Sequence, residues 1–76
     1  MITIKLFGSL RLKTGCKGLN AQWADIKTVK DACALMAETT GMTTADYKNC
    51  VIMLNGRQAK ISSKLSDGDE LVFMAP

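Results

Sequence analysis

The chain has 76 residues, with 10 Lys plus Arg against 7 Asp plus Glu, no His, and an apolar share of 47%. That length suits one domain over residues 1–76 with one modest core, and the apolar share is far above that of chains too polar to fold. The net charge of +3 is dispersed from Lys5 to Lys64, which argues against nucleic acid as a partner because nucleic acid selects a concentrated basic stripe. No apolar run reaches the roughly 18 to 20 residues of a membrane span, and the N-terminus opens into an alternating strand without signal-peptide order; a cytoplasmic protein with no membrane partner is expected.

Met1 to Phe7 alternates, with Ile2, Ile4 and Leu6 on one face and Thr3, Lys5 and Phe7 on the other, which predicts a half-buried strand ended by Gly8-Ser9. Gly15 and Gly18 then flank Cys16, and Leu19, Ala21 and Trp23 suggest a poorly defined second strand. Thr28 followed by Asp31 reads as a capping box with Asp for the usual Glu. A helix should run from Val29 to about Thr40, with Val29, Ala32, Cys33, Met36 and Thr40 at helical spacing, Leu35 widening the stripe, and Gly41 just past its end. A short helical turn is expected around Ala45 to Tyr47. Cys50 to Leu54 forms an apolar strand, Asn55-Gly56 is a strong hairpin signal, and Arg57 to Ala59 should return. Beyond Leu65, Asp67-Gly68-Asp69 turns the chain into a last strand, Glu70 to Met74.

The order is ββαβββ, or βαβββ if the second strand is weak. It predicts an α+β, β-grasp (ubiquitin-like) fold: a mixed four- to five-stranded sheet with one main helix packed on one face, and the first and last strands parallel in its centre. The expected core is Ile2, Ile4, Leu6, Val29, Cys33, Met36, Ile52, Leu54, Leu65, Leu71 and Phe73. The same alternation turns Phe7, Val51, Met53, Val72 and Met74 to the opposite face, where apolar residues from adjacent strands would form one docking patch. Arg11 and Lys13 after the first strand, and Lys60 and Lys64 near the last connection, are candidates for a charged rim. Left exposed, the last strand would also offer an edge to another chain.

Catalysis finds little support. Without His there is no conventional base for a nucleophile, and zinc would need close Cys or His pairs that the chain lacks. Three cysteines, Cys16, Cys33 and Cys50, are too few for a plant-type iron–sulfur cluster, so no metal or cofactor is expected. Cys33 reads as a core residue, and Cys16 as the one exposed thiol. Asp67, Asp69 and Glu70 read as a solvated turn.

The segment from Leu6 to Arg11, the Thr28-Val29 helix start, the Asn55-Gly56 turn and the run Leu65-Ser66-Asp67-Gly68-Asp69-Glu70-Leu71 resemble the small ubiquitin-like sulfur-carrier proteins of molybdopterin and thiamine synthesis. The molybdopterin synthase small subunit is the nearer match, and the resemblance spans essentially the whole chain. It implies a non-enzymatic carrier whose C-terminal Gly-Gly carboxylate is adenylated by an E1-like activating enzyme and converted to a thiocarboxylate. The implied partners are that enzyme and the molybdopterin synthase large subunit; the alternation, the charged rim and the last strand give Phe7, Arg11, Val51, Met53, Val72, Met74, Ala75 and Pro76 as the expected contact residues. The sequence departs from the family at Met74-Ala75-Pro76, where the family continues to Gly-Gly. A carrier role is therefore expected only if such a tail follows Pro76. The alternative is a tail-less interaction or regulatory subunit of a metal-cofactor oxidoreductase or of the activating enzyme. An RNA-associated β-grasp domain is a third reading, which the dispersed charge disfavours.

Overall fold

A computed structural model of the protein describes residues 1–48 and 50–75, with Thr44 and Tyr47 described by their backbone alone. Strand β1 (Ile2–Gly8) leads into a short helix α1 (Ser9–Thr14) and strand β2 (Gly18–Ala21). The main helix α2 (Val29–Thr40) and a short helix α3 (Thr44–Lys48) follow, then strands β3 (Val51–Leu54), β4 (Arg57–Gln58) and β5 (Glu70–Ala75). The sheet order is β2-β1-β5-β3-β4, with β1 and β5 parallel and the other pairs antiparallel. This is the β-grasp arrangement. The edges are β2 and β4, so β1 and β5 lie in the sheet centre as the order of elements predicts, and β5, flanked on both sides, offers no free edge to another chain.

The start of α2 shows why the helix begins where it does. The first four amides of a helix have no partner within it. Here Val29 and Lys30 donate to the carbonyls of Ser63 and Ile61 at 3.0 and 2.9 Å, and Asp31 donates to the Thr28 hydroxyl at 3.3 Å. The Asp31 carboxylate accepts in return from the Thr28 amide at 3.2 Å, completing the capping box. The connection after β4 is thereby tied across the helix start, which neither segment reveals by itself. Asn55 and Gly56 take φ of 52° and 83°, the pair of positive values that a two-residue hairpin needs.

The core forms between α2 and the sheet, joining Ile2, Ile4, Leu6, Leu71 and Phe73 to Val29, Cys33 and Met36. Leu10, Ile26 and Met42 are also buried, although each stands outside any regular period in the sequence. Ile52 and Leu54, expected in the core, are only half-buried, because β3 lies toward the sheet edge.

Removing the cap hydroxyl with Thr28→Ala should cost about 1 kcal/mol, readable by urea denaturation. The cap also carries a pH signature. The Lys27 amide, followed by groups of Thr28, holds the Asp31 carboxyl below its ordinary value, and the Lys13 ammonium does the same for Asp46, which it meets at 2.6 Å. The folded state thus prefers both groups ionised. Their contribution is complete above the unfolded value of 3.8 and is lost as the pH falls through the lower folded values. Thermal unfolding followed from neutral pH down to about pH 2 should show a steeper acid decline for the native sequence than for the double variant Asp31→Asn, Asp46→Asn. Identical slopes would refute this origin of acid sensitivity.

Candidate functional site

Because side chains alternate along a strand, burying Ile4, Leu6, Leu71 and Phe73 against α2 turns their neighbours to the other face. Register then decides which of these meet. Phe7 lies opposite Met74, and Met74 opposite Val51, so three strands place three exposed apolar side chains in one row. In the next row Val72 pairs with Met53 on one side and with Lys5 on the other. The five apolar residues singled out from the alternation are therefore contiguous across β1, β5 and β3.

The patch has charged groups at both ends. The Arg11 guanidinium stands 4.3 Å from the centre of the Phe7 ring, and its Nε donates to the Leu6 carbonyl, so α1 fixes a cation over the aromatic face. Further along, the Lys5 ammonium pairs with Glu70 at 3.3 Å. Lys13 instead reaches Asp46, and Lys60 and Lys64 belong to the connection tied to the start of α2. Of the four expected rim cations, Arg11 is the one the fold sets against Phe7.

Alternation turns Ala75 to the helix side, where it packs against the core and joins this region through its backbone pairing with Gly8. Pro76 lies outside the described residues. Gly8 has φ 72° and ψ −144°, and a Cβ there would stand 1.9 Å from the Ala75 carbonyl oxygen. The end of β5 can lie against β1 only because this position has no side chain.

The thiols are less accessible than expected. Cys16 is half-buried and its Sγ donates to the Gly18 carbonyl at 3.1 Å, because the turn folds back beside β2. Cys50 is also half-buried, with its Sγ donating to the Asp46 carbonyl at 2.8 Å, and burial raises the Cys33 thiol to about 11. Cys16 is therefore not the exposed thiol that its flanking glycines suggested. In the last turn, Asp69 accepts from the Ser66 amide at 2.7 Å and from the Asn55 side chain at 2.8 Å, so its carboxylate organises the turn.

The sequence matches the ThiS family over residues 4–76. The chain belongs to the ThiS family. In structure, this ThiS-family chain is similar to SAMP1 from Haloferax volcanii, with a TM-score of 0.85, 22% identity, and coverage of 99% of this chain and 93% of that one. It is also similar to a chain in the complex of subunits 1 and 2 of molybdopterin-converting factor from Helicobacter pylori 26695, with a TM-score of 0.72, 20% identity, and coverage of 99% and 92%. Among curated proteins, none matches the ThiS-family chain by sequence. Among the described residues, no helix is long and apolar enough to cross a membrane.

Proposed function

We propose that this ThiS-family chain is a docking protein of molybdopterin and sulfur-transfer metabolism, without a catalytic site of its own, that presents the Phe7, Met74 and Val51 row to partner proteins. The observation that carries the reading is the position of this apolar row beside the end of β5. A partner that covers it also receives whatever follows Ala75. The partners that fit are an E1-like adenylating enzyme and the large subunit of molybdopterin synthase, in keeping with the two-subunit complex to which the fold is similar.

Where a Gly-Gly tail follows Pro76, the protein is a sulfur carrier. Its terminal carboxylate attacks ATP and releases pyrophosphate; a sulfide-equivalent donor then displaces AMP from the acyl-adenylate and leaves a thiocarboxylate. Adenylation is required because a carboxylate has no good leaving group. Glycines suit the tail because they thread a narrow active site without side-chain clashes.

Two measurements test the reading. Calorimetric titration of the adenylating enzyme with the double variant Val51→Lys, Met74→Lys should show affinity weakened roughly 30-fold, about 2 kcal/mol, because two charges would be desolvated in the contact. Leu12→Lys, at a residue 89% exposed on α1, serves as the control and should bind normally. Unchanged affinity of the double variant would remove the sheet face from the contact. Where the Gly-Gly tail is present, intact mass of the native protein after incubation with the enzyme, ATP and a sulfur donor should rise by the difference between sulfur and oxygen. Docking without that rise would indicate the tail-less interaction subunit.

A further inference from the structure

On the helix side of the sheet, α2 and the chain that follows it leave a groove of about 760 Å³. Cys33, Ala34 and Ala37 of α2 form one wall, and Met42, Ile52 and Ile61 contribute the other. The groove has identifiable structural causes. Alanines at 34 and 37 present little bulk on the helix face that continues from Lys30, since residues three and four apart share a face. The hydrogen bond from the Lys30 amide to the Ile61 carbonyl holds the connection after β4 beside the helix, and Ile61 remains 49% exposed there. Ile52, half-buried on β3 toward the sheet edge, borders this open space.

The charge at the groove is one-sided. Lys30 and Lys48 both line it, and among the described residues no carboxylate does. Among the described residues the ammonium groups of Lys5 and Lys13 form ion pairs with acids, whereas those of Lys30 and Lys48 form none, although Lys30 acts at longer range on the neighbouring Asp31 carboxylate. The Cys33 thiol, which burial raises to about 11, is protonated at neutral pH, so the wall itself adds no negative charge. An apolar concavity of a few hundred Å³ with a small number of convergent polar groups is the usual form of a small-molecule site.

We propose that this groove binds an aliphatic carboxylate, with its hydrocarbon chain between Ala34 and Ala37 on one side and Ile52 and Ile61 on the other, and its carboxylate against Lys30 and Lys48. The tail supplies affinity by leaving water, and the lysines choose the sign of the head group. The groove shares no residue with the Phe7, Val51 and Met74 face, so binding here and docking there stand or fall separately.

The test is a titration of the isotopically labelled full chain with sodium decanoate, below the concentration at which decanoate forms micelles, followed by amide NMR shifts. Saturable shifts centred on residues 33–37, 52 and 61 are expected. The double variant Lys30→Gln, Lys48→Gln should bind roughly tenfold more weakly while keeping its fold, since both side chains are exposed. Ala34→Trp should fill the groove and abolish the shifts, and decylammonium should bind more weakly than decanoate. Non-saturating shifts, shifts centred on Phe7, Val51 and Met74, or equal binding of decylammonium would overturn the proposal. So would groove shifts that follow protein concentration alone, which would assign the groove to a second copy of the chain.

Discussion

Phe73→Ala should cost about 3–5 kcal/mol, the range for removing a fully buried aromatic ring. Phe73 is 0% exposed and sits on β5 between Leu6 of β1 and Ile52 of β3, with the core residues of α2 packed above it. The loss has two parts: the ring's transfer out of water, and the cavity left because neighbours on two paired strands cannot close in on it. A domain of this size has about 5–10 kcal/mol of stability to lose, so the variant should show a measurable unfolded fraction without denaturant. Urea titration should place its midpoint far below that of the native sequence with little change in slope. Leu12→Ala, at an 89% exposed residue, should stay within about 0.5 kcal/mol. A loss below about 1.5 kcal/mol for Phe73→Ala would mean that the core between α2 and the sheet collapses around the gap instead of holding a cavity open.

Gly8→Ala should cost about 2–4 kcal/mol although Gly8 is exposed and buries no side chain. Its backbone, φ 72° and ψ −144°, lies in a region that residues with a Cβ avoid, and the added methyl would overlap the Ala75 carbonyl oxygen at 1.9 Å. Relief requires backbone movement, because the obstructing atom belongs to the paired strand. The end of β5 should therefore separate from β1. Gly15→Ala is the informative control: Gly15 also has a positive φ, 67°, but nothing stands within 4 Å of the place its methyl would take, so only the local cost of about 1 kcal/mol applies. Hydrogen exchange should show faster exchange at Met74 and Ala75 in Gly8→Ala and no such change in Gly15→Ala. Equal destabilisation of the two variants would show that the strand pairing is not what demands glycine. A displaced β5 end would also change where the chain leaves the face that carries Phe7, Val51 and Met74.

The parts of the molecule legible in the sequence are those set by neighbours in the chain. Thr28, Asp31 and Gly41 bracket α2 because capping acts over three or four residues, and Asn55-Gly56 marks its hairpin because two adjacent backbones must take positive φ. Strict alternation in β1 and β5 assigns Phe7, Val72 and Met74 to the face away from the helix whatever the register. The short helix Ser9–Thr14 escaped because six residues are too few to display a helical period, and the buried Leu10, Ile26 and Met42 escaped because each is a single apolar residue among polar ones.

What only the tertiary structure decided involves residues far apart in the chain. That Phe7, Met74 and Val51 share one row depends on two strand registers, and that Arg11 stands over Phe7 depends on where α1 turns back. That Ile52 borders an open groove, and that Lys30 and Lys48 line it together, depends on how α2 and the connection after β4 lie across the sheet edge. Alternation and capping are properties of a few consecutive residues, so the sequence alone specified the main helix, the regular strands and their faces. Register and helix placement minimise the exposed area and satisfy the backbone of the whole chain at once, so the apolar row and the groove could be located only in the folded molecule.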